Sequence, residues 1–92
     1  MIKSFKCRET EKIFRRDRSA KFPPGIQRQA QKKLYLLDAA VSLADLRVPP
    51  GNRLEALAGN RKGRHSIRIN DQFRLTFRWE GNHAYEVRCE DS

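Results

Sequence analysis

Residues 65–78, HSIRINDQFRLTFR, constrain the fold of this chain more than any other stretch. Apolar and polar side chains alternate on both sides of Asn70-Asp71-Gln72, the pattern of two antiparallel strands joined by a tight turn. With the turn centred on Asp71, Ile69 faces Phe73, Arg68 faces Arg74 and Ile67 faces Leu75. Successive side chains of a strand point to opposite faces, so Ile67, Ile69, Phe73, Leu75, Phe77 and Trp79 share one surface. That surface must be covered. The other surface carries Ser66, Arg68, Arg74, Thr76 and Arg78.

A third strand is placed by the same arithmetic. Taking Glu80-Gly81-Asn82 as a short loop puts Trp79 opposite His83, a hairpin geometry. Phe77 then faces Tyr85, Leu75 faces Val87, Phe73 faces Cys89 and Arg74 faces Arg88. Arg68, Arg74 and Arg88 would form one row across three strands. Like charges directly opposite one another destabilise a sheet, so such a row implies an anionic ligand lying across it.

The 92 residues are enough for one domain, 1–92, with a single modest core. Lys and Arg number 20 against 11 acids, a net charge of +9. That balance on so small a domain favours a polyanion, most often nucleic acid. The alternatives are a basic surface kept for solubility and an acidic protein partner. No segment approaches the roughly 20 apolar residues that span a bilayer, and MIKSFKCRET lacks the apolar run of a signal peptide. A cytoplasmic protein with no membrane association is expected. Cys7 and Cys89 lie far apart in sequence, with no CxxC and no Cys/His cluster, so neither a metal site nor another cofactor is expected. Both should be free thiols in a reducing cytosol, Cys89 packed inward.

In chain order, Met1–Lys6 reads as a short strand and Arg8 to Arg16 as a short helix capped by Thr10. The clearest helix runs from Gly25 to Val41. Ile26, Ala30, Leu34, Leu37 and Val41 occupy about 80° of arc at 100° per residue, a core-facing stripe. Ser42-Leu43-Ala44-Asp45 is a capping box opening one extra turn. Pro49-Pro50-Gly51-Asn52 breaks regular structure, Leu54–Leu57 reads as a strand, and residues 58–64 form a basic loop without the spacing of a P-loop.

PPGNRLEAL, GNRKGRHSIRINDQFRLTFRW and the terminal Glu90-Asp91 resemble the HigB-type toxins, including the GraT-like ones, of the RelE/ParE superfamily. The resemblance covers the whole chain. It implies an α+β, RelE-like microbial-RNase-type fold, with an N-terminal strand and two to three helices packed on a mainly antiparallel sheet. It also implies the toxin of a type II toxin–antitoxin system, a metal-independent endoribonuclease that cuts messenger RNA on the ribosome and inhibits translation. The implied partners are a HigA-type antitoxin carrying a helix-turn-helix, the ribosome and its mRNA, and operator DNA reached only through the antitoxin complex. ParE-branch relatives share the fold but inhibit gyrase, so fold alone does not decide the activity. A non-catalytic RNA- or ribosome-binding module is the other alternative.

Metal-free RNA cleavage needs a base for the 2′-hydroxyl, cations for the developing phosphorane charge and an acid for the leaving 5′-oxygen. Arginine suits the second task, being permanently charged and able to grip phosphate through two bonds. Arg74 matches the arginine of the family's N-D-x-[WF]-R stretch and is the leading catalytic candidate, with Arg68 opposite it. Glu55 and Asp91 are the candidate proton-transfer groups. Arg53, Arg61, Lys62, Arg64 and Arg88 are candidate RNA contacts, with Glu86 able to neutralise part of the row. His65 shares parity with the core residues and His83 reads as loop-end surface. The family's tail pattern D-Y-H is met here only by Asp91, and some relatives carry His and Lys where this chain has Glu55 and Ala58.

Overall fold

The computed structural model describes residues 1–91. Helices α1 (Arg8–Phe14) and α2 (Pro24–Ala39) precede a four-stranded antiparallel sheet: β1 (Glu55–Ala56), β2 (Arg64–Arg68), β3 (Phe73–Glu80) and β4 (His83–Asp91). The strands lie in sequence order. Single 3-10 turns at Leu43–Arg47, Pro50–Asn52 and Gly59–Arg61 shape the connections. Residues near the N-terminus run parallel to β4 through the bridges Ile2–Ala84 and Phe5–Val87, two isolated pairings where a short strand is expected.

The hairpin at residues 65–78 forms in the expected register. Arg68 pairs with Arg74 and Ile67 with Leu75, and the Ile69 amide donates to the Phe73 carbonyl at 2.9 Å. Asn70 builds the turn by accepting the amides of Gln72 and Phe73, each at 2.8 Å, an Asx turn. The odd-numbered face is buried against the helices. Ile67, Leu75, Phe77 and Val87 pack with Ile13, Leu34, Leu37 and Leu46 in one core.

The register of β4 departs from expectation. The turn has two central residues, Gly81 and Asn82, both at positive φ, and it sets Glu80 opposite His83 and Trp79 opposite Ala84. A bulge then follows near Glu86, itself at φ 52°. Turn and bulge each shift the pairing by one residue, so Leu75 faces Cys89, and Arg74 faces Glu90 instead of Arg88. The total shift of two preserves parity. Cys89 therefore stays inward, 3% exposed, but the three-arginine row becomes Arg68–Arg74–Glu90.

Three local expectations are also corrected. Thr10 is not a cap; it is buried inside α1, and its hydroxyl accepts the Cys89 amide at 2.9 Å. Helix α2 starts on Pro24, a residue suited to the first turn because its missing N–H would go unused there. It ends before Val41, which is 71% exposed. The cause is the capping box: the Asp45 carboxylate accepts the amides of Val41 and Ser42, at 2.9 and 3.2 Å, and starts the next turn instead.

Asn52 organises the connection into β1. It is fully buried, donates to the carbonyls of Leu46 and Val48 at 3.1 and 3.3 Å, and accepts from the Lys33 ammonium of α2. The next residue, Arg53, is held in a left-handed conformation, φ 45° and ψ 59°.

Candidate active site on the polar sheet face

The even-numbered face of the sheet stays polar, and a cleft of about 320 Å³ opens at its β1 edge. Arg53, Glu55, Arg68, Asn70, Asp71 and Arg74 line it. Strand alternation explains the set. Arg68 and Arg74 are a cross-strand pair on β2 and β3, Glu55 comes from β1, and the Asn70–Asp71 turn closes one end.

Two neighbouring guanidinium groups repel unless anions separate them. Each has an acid of its own. Arg74 Nη2 lies 3.0 Å from Glu55 Oε2, and Arg68 pairs with Asp71, three residues on. The Arg74 and Arg68 side chains are 26% and 34% exposed, so both remain reachable from solvent. Arg74 Nε is buried and, among the described residues, has no hydrogen-bond partner.

The remaining candidates divide. Arg61, on the β1–β2 loop, reaches Glu90 on the far strand. Strands lie about 4.8 Å apart, so this pair draws the loop across the sheet. Ser66 and Thr76 beneath it are 0% and 3% exposed. Arg64 bonds the carboxylate and carbonyl of Glu86 at 3.1 and 2.9 Å, and Arg78 shares that carboxylate at 3.5 Å. Lys62 is exposed on the loop. Arg88 stands opposite Thr76, and Asp91 lies beside Gln72, 3.3 Å away. Both belong to a separate cleft with Lys21, Phe22 and Phe73, so Asp91 does not meet Arg74. Of the proposed catalytic set, the cleft brings together Arg74, Arg68 and Glu55, and adds Arg53.

Sequence reasoning passed over Asp71 as a counterion. Its signal was available in the i, i+3 spacing of Arg68-Ile69-Asn70-Asp71 across the turn. His65 stacks on Phe77, with ring centroids 6.2 Å apart and planes at 21°, on the opposite face from the cleft.

Glu90 is the keystone of the loop. Burial pushes its carboxyl up, but hydrogen bonds from Thr76 and Arg61 outweigh burial and hold it below the usual carboxylate range. A depressed pKa stabilises the fold above the unfolded value of about 4.3 and loses that contribution as pH falls through the folded value. Glu90→Gln should therefore cost about 1 kcal/mol at pH 7. In urea melts, the gap between the two proteins should narrow as pH falls through the folded value, where the Glu90 carboxylate takes up its proton. A constant gap would mean that the carboxylate's charge does not hold the loop.

The family model for RelE-like toxins of HigB type II toxin–antitoxin systems matches residues 3–90. Toxin HigB-1 of Vibrio cholerae is 45% identical over 80 residues, covering 86% of this chain and 84% of the relative. Endoribonuclease HigB of Proteus vulgaris is 30% identical over 95 aligned positions, 99% of this chain and 98% of the relative. Among solved structures, the YoeB–YefM complex of Staphylococcus aureus superposes over the full chain with a TM-score of 0.61 at 19% identity, covering 98% of that chain. A YafQ mutant from E. coli gives 0.63 at 12%, covering 94%. At such identities these two establish the fold alone.

Proposed function

Because the chain belongs to the HigB-like family of RelE-like toxins from type II toxin–antitoxin systems, we propose that its arginine-lined cleft cuts messenger RNA on the ribosome. The observation that carries this reading is the pairing of Arg74 with Glu55 at 3.0 Å inside an open cleft walled by Arg53 and Arg68. Cleavage needs a base for the 2′-hydroxyl and cations for the phosphorane within reach of one phosphodiester, and these residues supply both.

Arg74 and Arg68 grip the non-bridging oxygens and stabilise the phosphorane. Glu55 takes the 2′-hydroxyl proton as the 2′-oxygen attacks phosphorus. The bond to the 5′-oxygen breaks, leaving a 2′,3′-cyclic phosphate and a 5′-hydroxyl. Three arginines, a glutamate, an asparagine and an aspartate line the cleft, so the proton for the leaving oxygen comes from water or a ribosomal group. This is one physical reason for the reaction to run on the ribosome, in the cytoplasm. Arg53, Arg61, Lys62, Arg64 and Arg88 hold neighbouring phosphates, contacts that weaken as salt rises. A HigA-type helix-turn-helix antitoxin neutralises the toxin, and operator DNA is reached through that complex.

The test is to map mRNA ends on ribosomes after brief induction. The unaltered chain should create new ends within translated frames. Glu55→Gln should reduce them about 10²-fold or more, the loss expected for a general base. No new ends with the unaltered chain would overturn the endonuclease reading, and undiminished ends with Glu55→Gln would remove the base assignment alone.

A further inference from the structure

A second cavity of about 380 Å³ adjoins the first, lined by Leu43, Arg47, Pro50, Arg53, Leu54, Ala56 and His65. Strand alternation relates the two. Glu55 points into the arginine cleft, while its neighbours Leu54 and Ala56 point to the other side of the sheet edge. Arg53, immediately before β1, lines both spaces. Its left-handed backbone sets it at the rim where they meet.

The walls suit a flat, weakly polar ring. Leu43 and Leu54 are half-buried and Pro50 is apolar, while Arg47 and Arg53 are exposed guanidinium groups at the mouth. His65 is fixed by stacking on Phe77 and faces Ala56 across the ladder. Unstacked bases of single-stranded RNA are held in this way, against aromatic or guanidinium planes with apolar surface beneath. Inorganic phosphate would gain nothing from Leu43, Pro50 or Leu54.

We infer that this edge cavity is a nucleobase subsite: the base flanking the phosphate held by Arg68 and Arg74 turns around β1, past Arg53, and inserts between Arg47 and His65. The inference rests on the proposed RNA-cleaving cleft and adds to it where substrate preference is set. A base too large, or badly placed against Arg47 and His65, would pull the phosphate off Arg74.

The test is an amide NMR titration of the full chain with two probes. One is the 2′-deoxy adenine dinucleotide, which lacks the attacking hydroxyl and cannot be cut. The other is inorganic phosphate. The dinucleotide should shift Leu54, Ala56 and His65 together with Arg68 and Arg74, whereas phosphate should shift Arg68 and Arg74 without Leu54, Ala56 or His65. Ala56→Trp, at an exposed position, fills the cavity and should weaken the dinucleotide at least tenfold while leaving phosphate unchanged. Arg47→Ala, also exposed, should act in the same direction and serves if the tryptophan variant fails to fold. Identical shifts from both probes, with neither variant affecting the dinucleotide, would overturn the subsite and leave the cleft intact. Shifts at neither Arg68 nor Arg74 would refute the cleft, and the subsite with it.

Discussion

Arg74→Ala should abolish most mRNA cutting, by about 10²–10³-fold, the loss seen when a charge-stabilising donor is removed from a reaction centre. The fold should hardly notice. The pair with Glu55 is partly exposed, and such pairs contribute about 0–1 kcal/mol. Removing Arg74 also relieves its repulsion with Arg68, its cross-strand partner. Arg74→Lys is the sharper variant. It keeps the charge but loses the planar fork that grips two phosphate oxygens, so activity should remain at least about tenfold down. Counting new mRNA ends on ribosomes, beside a thermal melt of each variant, checks both halves. Equal cutting by unaltered and Arg74→Ala proteins would exclude the arginine from the reaction.

Asn52→Ala should be the most damaging single change outside the apolar core, destabilising the domain by about 2–3 kcal/mol. It removes the donors to the Leu46 and Val48 carbonyls and the acceptor of Lys33 at one buried point. Burial already holds the Lys33 ammonium below its ordinary pKa, with Lys32 adding to the effect. Losing its oxygen partner therefore leaves a poorly solvated cation. For a domain of this size the melting temperature should fall by roughly 10–20 °C. Asn52→Asp retains an acceptor for Lys33 but loses both donated bonds and turns an oxygen toward the two carbonyls, so it should also be destabilised. A melting temperature unchanged in Asn52→Ala would show that the loop before β1 closes without it. The residue also sets where Arg53 emerges, so surviving Asn52→Ala protein should cut RNA poorly.

What was legible in the sequence followed from short-range periodicity. Alternation in Ile67-Arg68-Ile69 and Phe73-Arg74-Leu75 fixed the first hairpin, because a slip of one would have exposed every apolar side chain. Asp45, three residues after Ser42, marked the capping box. The second hairpin was less determined. Glu80-Gly81-Asn82 accommodates a turn of two or three residues, and nothing in Tyr85-Glu86-Val87 announces the bulge at Glu86. Parity therefore survived while partners changed, and Arg74 acquired Glu90 as its neighbour. The end of α2 was missed for a similar reason. Val41 fits the stripe, but Asp45 competes for its amide.

At the site, Arg74, Arg68 and Glu55 could be grouped because they fall on one face of consecutive strands. The other features of the polar face depend on contacts distant in sequence. Asn52 shapes it through Lys33, 19 residues away, and Arg61 reaches Glu90 across 29. Asp91 was assigned by its place in a motif, and the geometry puts it with Lys21 and Phe22 in another cleft. Pattern arithmetic cannot see such separations.

The parallel bridges that bind Ile2 to Ala84 and Phe5 to Val87 join the earliest and latest stretches of the chain. Contacts so remote in sequence raise the contact order and slow folding, since the closure entropy is lost before the pairing rewards it. During synthesis, residues 1–6 have no β4 to lie against, and β3 lacks a neighbour on that side. Consolidation of the domain therefore waits until residues 83–91 have cleared the exit tunnel of the ribosome making them.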